Sequence, residues 1–504
     1  ANLTISYVGY LPYNGKPGAT PPEITLKEDT QMLDEVVVIG YGTTTRKAAV
    51  GAIDQVKGEK FANRPVQTMT QALQGAAPNV IIQSNSYDPN NQDTRFNIRG
   101  VTSTTNSDPL FVIDGIVSDG GAFNRLNPND VENISVLKDA GAAAIYGSRS
   151  AAGVVLVTTK GGKKDQPATV SFSANVGWED PYYQYTAVDG YQNALLYNMA
   201  LTNVGRNPKF SPADITDLYN HRSEERWALD EITRTAMMQK YNVMVQGGTN
   251  KVTYMFSLGY FDQESNLVGH NNKGVQRYNM RMNIGTDIGR LHLGAIMSFV
   301  RNDSRTSTAN LSNCYANSKR TPKYYYNNLT DAEGRYVANS TVSDQHALAE
   351  LNSDGYNKYR NNDWQGNINA DFKIIDGLKL RGVLGVNVHN ETRNTRAIPY
   401  GYYSNTGVWQ EVSAKDYSAS NWNSDYYAIN SQLLLDFNRT FGKHSVNAMF
   451  GFTNESTTYS ANEINKKFVD PDLGTETDQT KAEAGNITGK TFLEDNNRSS
   501  ISSW

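Results

Sequence analysis

The side chains with which this chain could do chemistry are few and scattered. Six histidines (His221, His270, His292, His346, His389 and His444) fall nowhere at metal-ligand spacing, and no His-Glu-x-x-His run occurs. Cys314 is the single cysteine, so no intramolecular disulfide can form. No serine or cysteine nucleophile comes with a readable base, and no glycine-rich phosphate loop joins a strand to a helix. Residues 470–478 (Asp470-Pro471-Asp472-Leu473-Gly474-Thr475-Glu476-Thr477-Asp478) alternate oxygen ligands in a way that suits calcium. They miss the EF-hand spacing, and a solvated acidic loop is the plainer reading. Tyr324-Tyr325-Tyr326, Tyr402-Tyr403 and Tyr426-Tyr427, with Trp409 and Trp422, could stack sugars or peptide side chains, or sit at a membrane interface. No enzyme and no resident cofactor are expected from this inventory.

The elements must therefore carry the argument. A chain of 504 residues is too long for one ordinary domain. With 38% hydrophobic residues, 30 tyrosines and 41 glycines, it is polar for a large globular core. No run of about 18 apolar residues exists, which excludes a membrane-spanning helix. Strands that alternate apolar and polar residues average out to polar, so a membrane β-barrel stays open. A net charge of −4 argues against a nucleic-acid partner. The opening residues, Ala1 to Tyr10, show no basic segment or apolar run of a signal peptide and read as a strand. Leu11–Pro22 reads as a Pro/Gly-rich loop and Ile24–Glu28 as a short strand.

The stretch Val131–Lys160 reads as strand, helix, strand. Ile134, Val136 and Leu137 suit a buried strand, Asp139 is a candidate N-cap for a helix over Ala140–Tyr146, and Gly147 is placed to stop it. Val154–Thr159 is a second apolar strand. Upstream, Leu33-Asp34-Glu35-Val36-Val37-Val38-Ile39 has high strand propensity and no partner nearby in sequence, which suits completion by a strand from another chain. Arg64–Gly75 reads as a helix opened by Pro65. Strands are read at Ala48–Val56, ahead of that helix, and at Val80–Gln83 and Phe96–Gly100 after it, and Val112-Ile113-Asp114-Gly115 carries the Asp-Gly signal of a tight hairpin. Ser118–Asn129 reads as a Gly/Asn loop.

After a hinge-like linker, Gly161–Pro167, the pattern turns to strict alternation. Val170, Phe172, Ala174 and Val176 oppose Ser171, Ser173 and Asn175; Tyr278, Met280, Met282 and Ile284 oppose Asn279, Arg281 and Asn283. The same alternation runs through 241–246, 252–260, 291–299, Trp364–Ile375, Leu378–Asn390, Tyr426–Thr440 and His444–Thr457. Strands of about ten residues, short turns at one end and long loops at the other form the transmembrane-barrel pattern, here for about nine strands. The expected long loops are Asp180–Thr235, Asn302–Asn362, Thr392–Ser424 and Ala461–Ser500.

These elements carry a family resemblance. Val131–Lys160 resembles the end of the plug domain of TonB-dependent outer-membrane receptors, most like the SusC/RagA branch. Asn97-Ile98-Arg99-Gly100 and Val112-Ile113-Asp114-Gly115 resemble earlier plug motifs, in the family's order. The resemblance implies plug-motif residues Asn97, Arg99, Gly100, Asp114, Gly115, Glu132, Lys138, Tyr146, Gly147 and Arg149. Leu33–Ile39 resembles the TonB box and the residues after it, and Ala1–Glu28 the last strands of a carboxypeptidase-regulatory-like sandwich.

The implied organisation is 1–28 sandwich end, 29–42 TonB-box segment, 43–162 α+β plug, and 163–504 an incomplete transmembrane antiparallel β-barrel, for which the family expectation is about 22 strands. The implied function is TonB-driven import of oligosaccharide or peptide across the bacterial outer membrane, partnered by a SusD-like surface lipoprotein. The rival is a TonB-linked receptor for a metal chelate or a signal, without that lipoprotein. Candidate cargo-facing residues are Asn85, Tyr87, Asn91, Asn106, Asp119 and Asn124. Arg99, Glu132, Lys138 and Arg149 lie beside apolar strands, so any that reach the barrel wall must be paired or hydrated.

Overall fold

The computed structural model describes residues 3–5, 13–15, 36–39 and 42–45. From 53 to 503 it describes all but 63, 79, 85–93, 99, 101–107, 140–142, 183–187, 224–226, 310–313, 315–329, 339–345, 405–406, 412–416, 443 and 469–486. Two short hairpins come first, β1 (Leu3–Ile5) with β2 (Tyr13–Gly15), and β3 (Val36–Ile39) with β4 (Gly42–Thr45). The second strand falls inside the stretch expected to be loop. Ile24–Glu28 lies outside the described residues.

A five-stranded mixed sheet follows, made of β5 (Ile53–Lys57), β8 (Leu110–Ile113), β9 (Ile116–Ser118), β10 (Val131–Leu137) and β11 (Val154–Thr159), in the order β5-β10-β11-β8-β9. A separate hairpin, β6 (Val80–Ser84) with β7 (Thr94–Ile98), packs beside it. The β-branched runs of β10 and β11 are buried on both faces, which is why they sit in the sheet's middle. One face packs on Phe61, Met69, Leu73, Phe96 and Phe123. The other packs on Ala143 and Tyr146. Phe111 stacks on Phe123 at 4.6 Å, and Phe96 stands edge-on to both. The turn between β8 and β9 has Asp114 at φ 49° and Gly115 at φ 84°, the two left-handed residues of a type I′ hairpin.

Three local expectations need correction. The helix expected over Arg64–Gly75 is shorter, Met69–Leu73, because Thr68 and Gln71 close a capping box in front of it. The expected loop Ser118–Asn129 contains a helix, Gly120–Arg125, capped by Asp119 and anchored by fully buried Phe123. Of the helix expected over Ala140–Tyr146, Ala143 is α-helical and Ala144–Tyr146 is a 3₁₀ turn; Gly147, at φ 66°, ends it as expected, and a second 3₁₀ turn follows to Ser150.

The larger part of the chain comprises β12 (Gln166–Glu179), β13 (Ala236–Gly248), β14 (Val252–Gln263), β15 (Gly274–Ile288), β16 (Leu291–Ser307), β17 (Val337–Ala338), β18 (Tyr356–Ile375), β19 (Leu378–Ala397), β20 (Gly401–Ser404), β21 (Trp409–Glu411), β22 (Tyr417–Phe441), β23 (His444–Phe468) and β24 (Ile487–Ser503). Ten of these pair in chain order as one antiparallel meander, a partial barrel. The short β17, β20 and β21 make a separate sheet. Short turns join the strands at the end nearest the plug linker. The opposite end carries the long connections, including helices Gly190–Asn203 and Pro212–Asn220.

The strands run well past the apolar band: β22 and β23 have 25 residues each. Much of what was expected as loop, Asn302–Ser307, Tyr356–Asn362, Thr392–Ala397, Tyr417–Ser424, Ala461–Phe468 and most of Ile487–Ser500, is strand. Alternation marks only the part of a strand with unlike solvents on its two sides. Beyond it both faces carry mostly polar residues, and the ladder continues without alternation. The tenth strand, β24, was hidden for this reason.

Outward residues form an exposed apolar band. Leu258, Ile368, Leu433 and Phe450 stand 47–58% exposed, in accord with the alternating faces. Tyr241, Tyr260 and Tyr278 form a ladder across three neighbouring strands, with ring centroids 6.4 and 5.2 Å apart. The linker is pinned: a Cβ on Gly162 would lie 2.3 Å from Tyr254 N and 2.5 Å from Gly247 O, so only glycine lets it pass this close to β13 and β14.

Phe123→Ala is expected to destabilise the plug by about 3–5 kcal/mol through the cavity it leaves. Amide exchange of β8 and β10 would accelerate in step, while β14 and β15 stay protected. Unchanged exchange in β8 would contradict this packing.

Candidate functional site

The inward faces of β12 to β15, β18, β19, β22 and β23 meet the plug along a polar seam. Side-chain amides on the barrel wall donate to plug backbone carbonyls. Asn367 Nδ2 reaches Asp114 O at 2.8 Å, Gln432 Nε2 reaches Gly115 O at 3.1 Å, and Asn387 Nδ2 reaches Val117 O at 3.1 Å. Three strands, β18, β19 and β22, thus hold the carbonyls of one plug hairpin. Further along, Asn279 Nδ2 donates to Arg125 O at 3.0 Å and Arg277 Nη1 to Gln67 O at 2.9 Å. Asn127 and Asn129 of the plug donate in turn to Asn242 Oδ1 (2.7 Å) and Ser173 Oγ (3.3 Å). Gly259 makes room here, since a Cβ would come within 2.7 Å of Asn127 Nδ2.

Three ion pairs cross the seam. Asp114 binds Arg281, whose side chain is 2% exposed, and also accepts from Thr159 N at 2.9 Å. Arg125 Nη2 donates to Asp363 Oδ1 at 2.9 Å, and His389 Nδ1 sits 2.6 Å from that same oxygen. Arg149 Nη1 reaches both carboxylate oxygens of Glu455 at 3.0 Å. Asp130 is buried within the seam. Burial pushes its carboxyl above the usual range, against a hydrogen bond from Ser257 and the charges of Arg281, Lys160 and Lys240.

The seam therefore holds the plug mainly by groups that water can also satisfy. A neutral hydrogen bond contributes about 0.5–1.5 kcal/mol net, because water replaces it on release. Buried apolar area has no such replacement.

The motif residues divide between the seam and the plug interior. Asp114, Gly115 and Arg149 face the barrel. Lys138 does not reach the wall: it pairs with Asp54 on the neighbouring strand and donates to Pro78 O at 2.8 Å. Glu132 is exposed, Asn97 and Tyr146 are buried in the plug, and Gly100 has φ 99°. Arg99 lies outside the described residues, as do Leu33, Asp34 and Glu35; Val36, Val37, Val38 and Ile39 form β3.

Of the cargo-facing candidates, Asn85, Tyr87, Asn91 and Asn106 lie outside the described residues. Asp119 is exposed and caps its helix, and Asn124 Oδ1 accepts from Thr70 N at 3.2 Å. The 470–478 loop also lies outside the described residues. Among the described residues no group of three His, Cys, Asp or Glu could hold a metal.

Arg125, Asn127, Asn129 and Asp130 were not singled out from sequence, nor were their partners on the wall. The available signal was the polar half of each alternating strand, Arg277, Asn279, Arg281 and Asn283 on β15 above all.

Comparison with known proteins accords with this geometry. Residues 45–154 match the model of the TonB-dependent Receptor Plug Domain. The TonB-dependent receptor SusC of Bacteroides thetaiotaomicron is 29% identical over 452 residues, covering 83% of this chain and 43% of SusC. The TonB-dependent receptor P3 of Formosa agariphila is 28% identical over 461 residues, covering 90% of this chain and 43% of that protein. The chain thus spans less than half the length of these curated relatives. The RagAB peptide importer in its open-open state superposes with a TM-score of 0.76 at 21% identity, over 93% of this chain and 54% of the other. These relatives are receptors and transporters, not enzymes.

Asp114→Asn keeps the left-handed turn and leaves Arg281 buried without its carboxylate. This is expected to cost about 3–5 kcal/mol in plug seating, measured as plug-amide exchange. Adding Arg281→Gln should recover much of it. A double variant as unstable as Asp114→Asn alone would contradict the pairing.

Proposed function

We propose that this chain, the plug and leading strands of a SusC/RagA-type TonB-dependent protein of the outer membrane, works in active import of oligosaccharide or peptide cargo. The observation that carries the proposal is the polar seam, which seats the plug firmly while leaving it releasable into water. Cargo binds above the plug, toward the long connections, and a SusD-like surface lipoprotein closes over it. Residues 84–94, 102–107 and 118–124 are the plug segments proposed to meet cargo.

TonB supplies the pull. Leu33–Ile39 is its proposed docking segment, and among the described residues β3 has one hydrogen-bonded neighbour, β4, which leaves an edge for an added strand. Tension entering at residues 33–39 passes into β5 and the plug sheet. The seam bonds then exchange for water one after another, and the plug shifts or partly unfolds.

Deleting Leu33–Ile39 should leave cargo binding unchanged and abolish uptake by cells. Uptake at the wild-type rate would remove the coupling assignment.

A further inference from the structure

A small cavity between plug and barrel contains charge that the seam's ion pairs do not absorb. Its walls are Gln67, Leu126 and Asn127 of the plug and Lys240, Arg277 and Asn279 of the barrel, among others. It has room for one body the size of a water molecule or a halide. Lys240 is 5% exposed, and its Nζ is buried without a hydrogen-bond partner. Arg277 is 6% exposed and places a second cation beside it.

The neighbouring charges do not neutralise this pair. Arg125 is taken by Asp363, and Arg281 by Asp114. Lys240 and Lys160 then share one carboxylate, Asp130, whose Oδ1 is itself without a partner, and Arg277 faces Asp363, which is already paired with Arg125. The amides of Asn127 and Asn279 also line it, each with one hydrogen already given to Asn242 Oδ1 or Arg125 O. A buried ammonium without a partner, beside a guanidinium, is a site for negative charge.

We propose that this cavity binds one small monovalent anion of the halide class, held by Lys240 Nζ and lodged between plug and wall. Such an ion would complete the electrostatics of the seated plug and leave when the plug moves. The inference is independent of the import reading, since neither TonB nor cargo enters its test.

The test uses the full chain in detergent with bromide as the probe. Crystals in about 0.2 M sodium bromide should show an anomalous peak in the cavity beside Lys240, and Lys240→Met should remove it. The unfolding midpoint of the wild type should rise in bromide over gluconate at equal ionic strength, and the variant should lose that rise. If Lys240→Met fails to fold, the wild-type peak and midpoint decide. No peak in the wild type, a peak surviving in the variant (an adventitious ion only), or equal midpoints in the two salts would each overturn the site.

Discussion

The carboxylate of Asp114 joins the plug's own fold to its seating in the barrel. One oxygen accepts from the Thr159 backbone inside the plug sheet, and the other binds Arg281 on the wall. The residue sits at φ 49° in a tight turn, a conformation aspartate tolerates better than most residues. The same turn presents the carbonyls of Asp114, Gly115 and Val117 to three wall amides. The hairpin is thus shaped from within and gripped from without. Moving it disturbs β8 and β11 at once, which couples displacement of the plug to strain in its sheet.

The alternation that lets a strand face lipid also builds the wall of the seam. On β15, Tyr278, Met280 and Ile284 point outward while Arg277, Asn279, Arg281 and Asn283 point inward. The outer face follows from the hydrophobic effect and tolerates many apolar residues. The inner face recognises backbone carbonyls and a few charges. An apolar inner face would hold the plug more tightly and make withdrawal costly, because no solvent group would replace what is lost.

Much of this was legible in the sequence, and the rest was hidden for physical reasons. The buried runs of β10 and β11, the Asp114-Gly115 turn and the alternating barrel strands announce themselves by period and turn chemistry. The helix Gly120–Arg125 did not, because its glycines suggest loop and it is held by a local cap and one buried ring, Phe123. The upper thirds of β22 and β23 did not, because both faces carry mostly polar residues there. The seam pairs are separated by more than a hundred residues in most cases, as Arg125 is from Asp363 and Arg149 from Glu455. Only the folded register brings them together.

Mechanical extraction tests the central claim most directly. With the barrel held in a bilayer, force is applied through a handle ahead of Leu33. The seam predicts successive releases confined to residues 53–159, with β12 to β24 still paired. Rupture of the barrel strands before the plug yields, or together with it, would contradict the account.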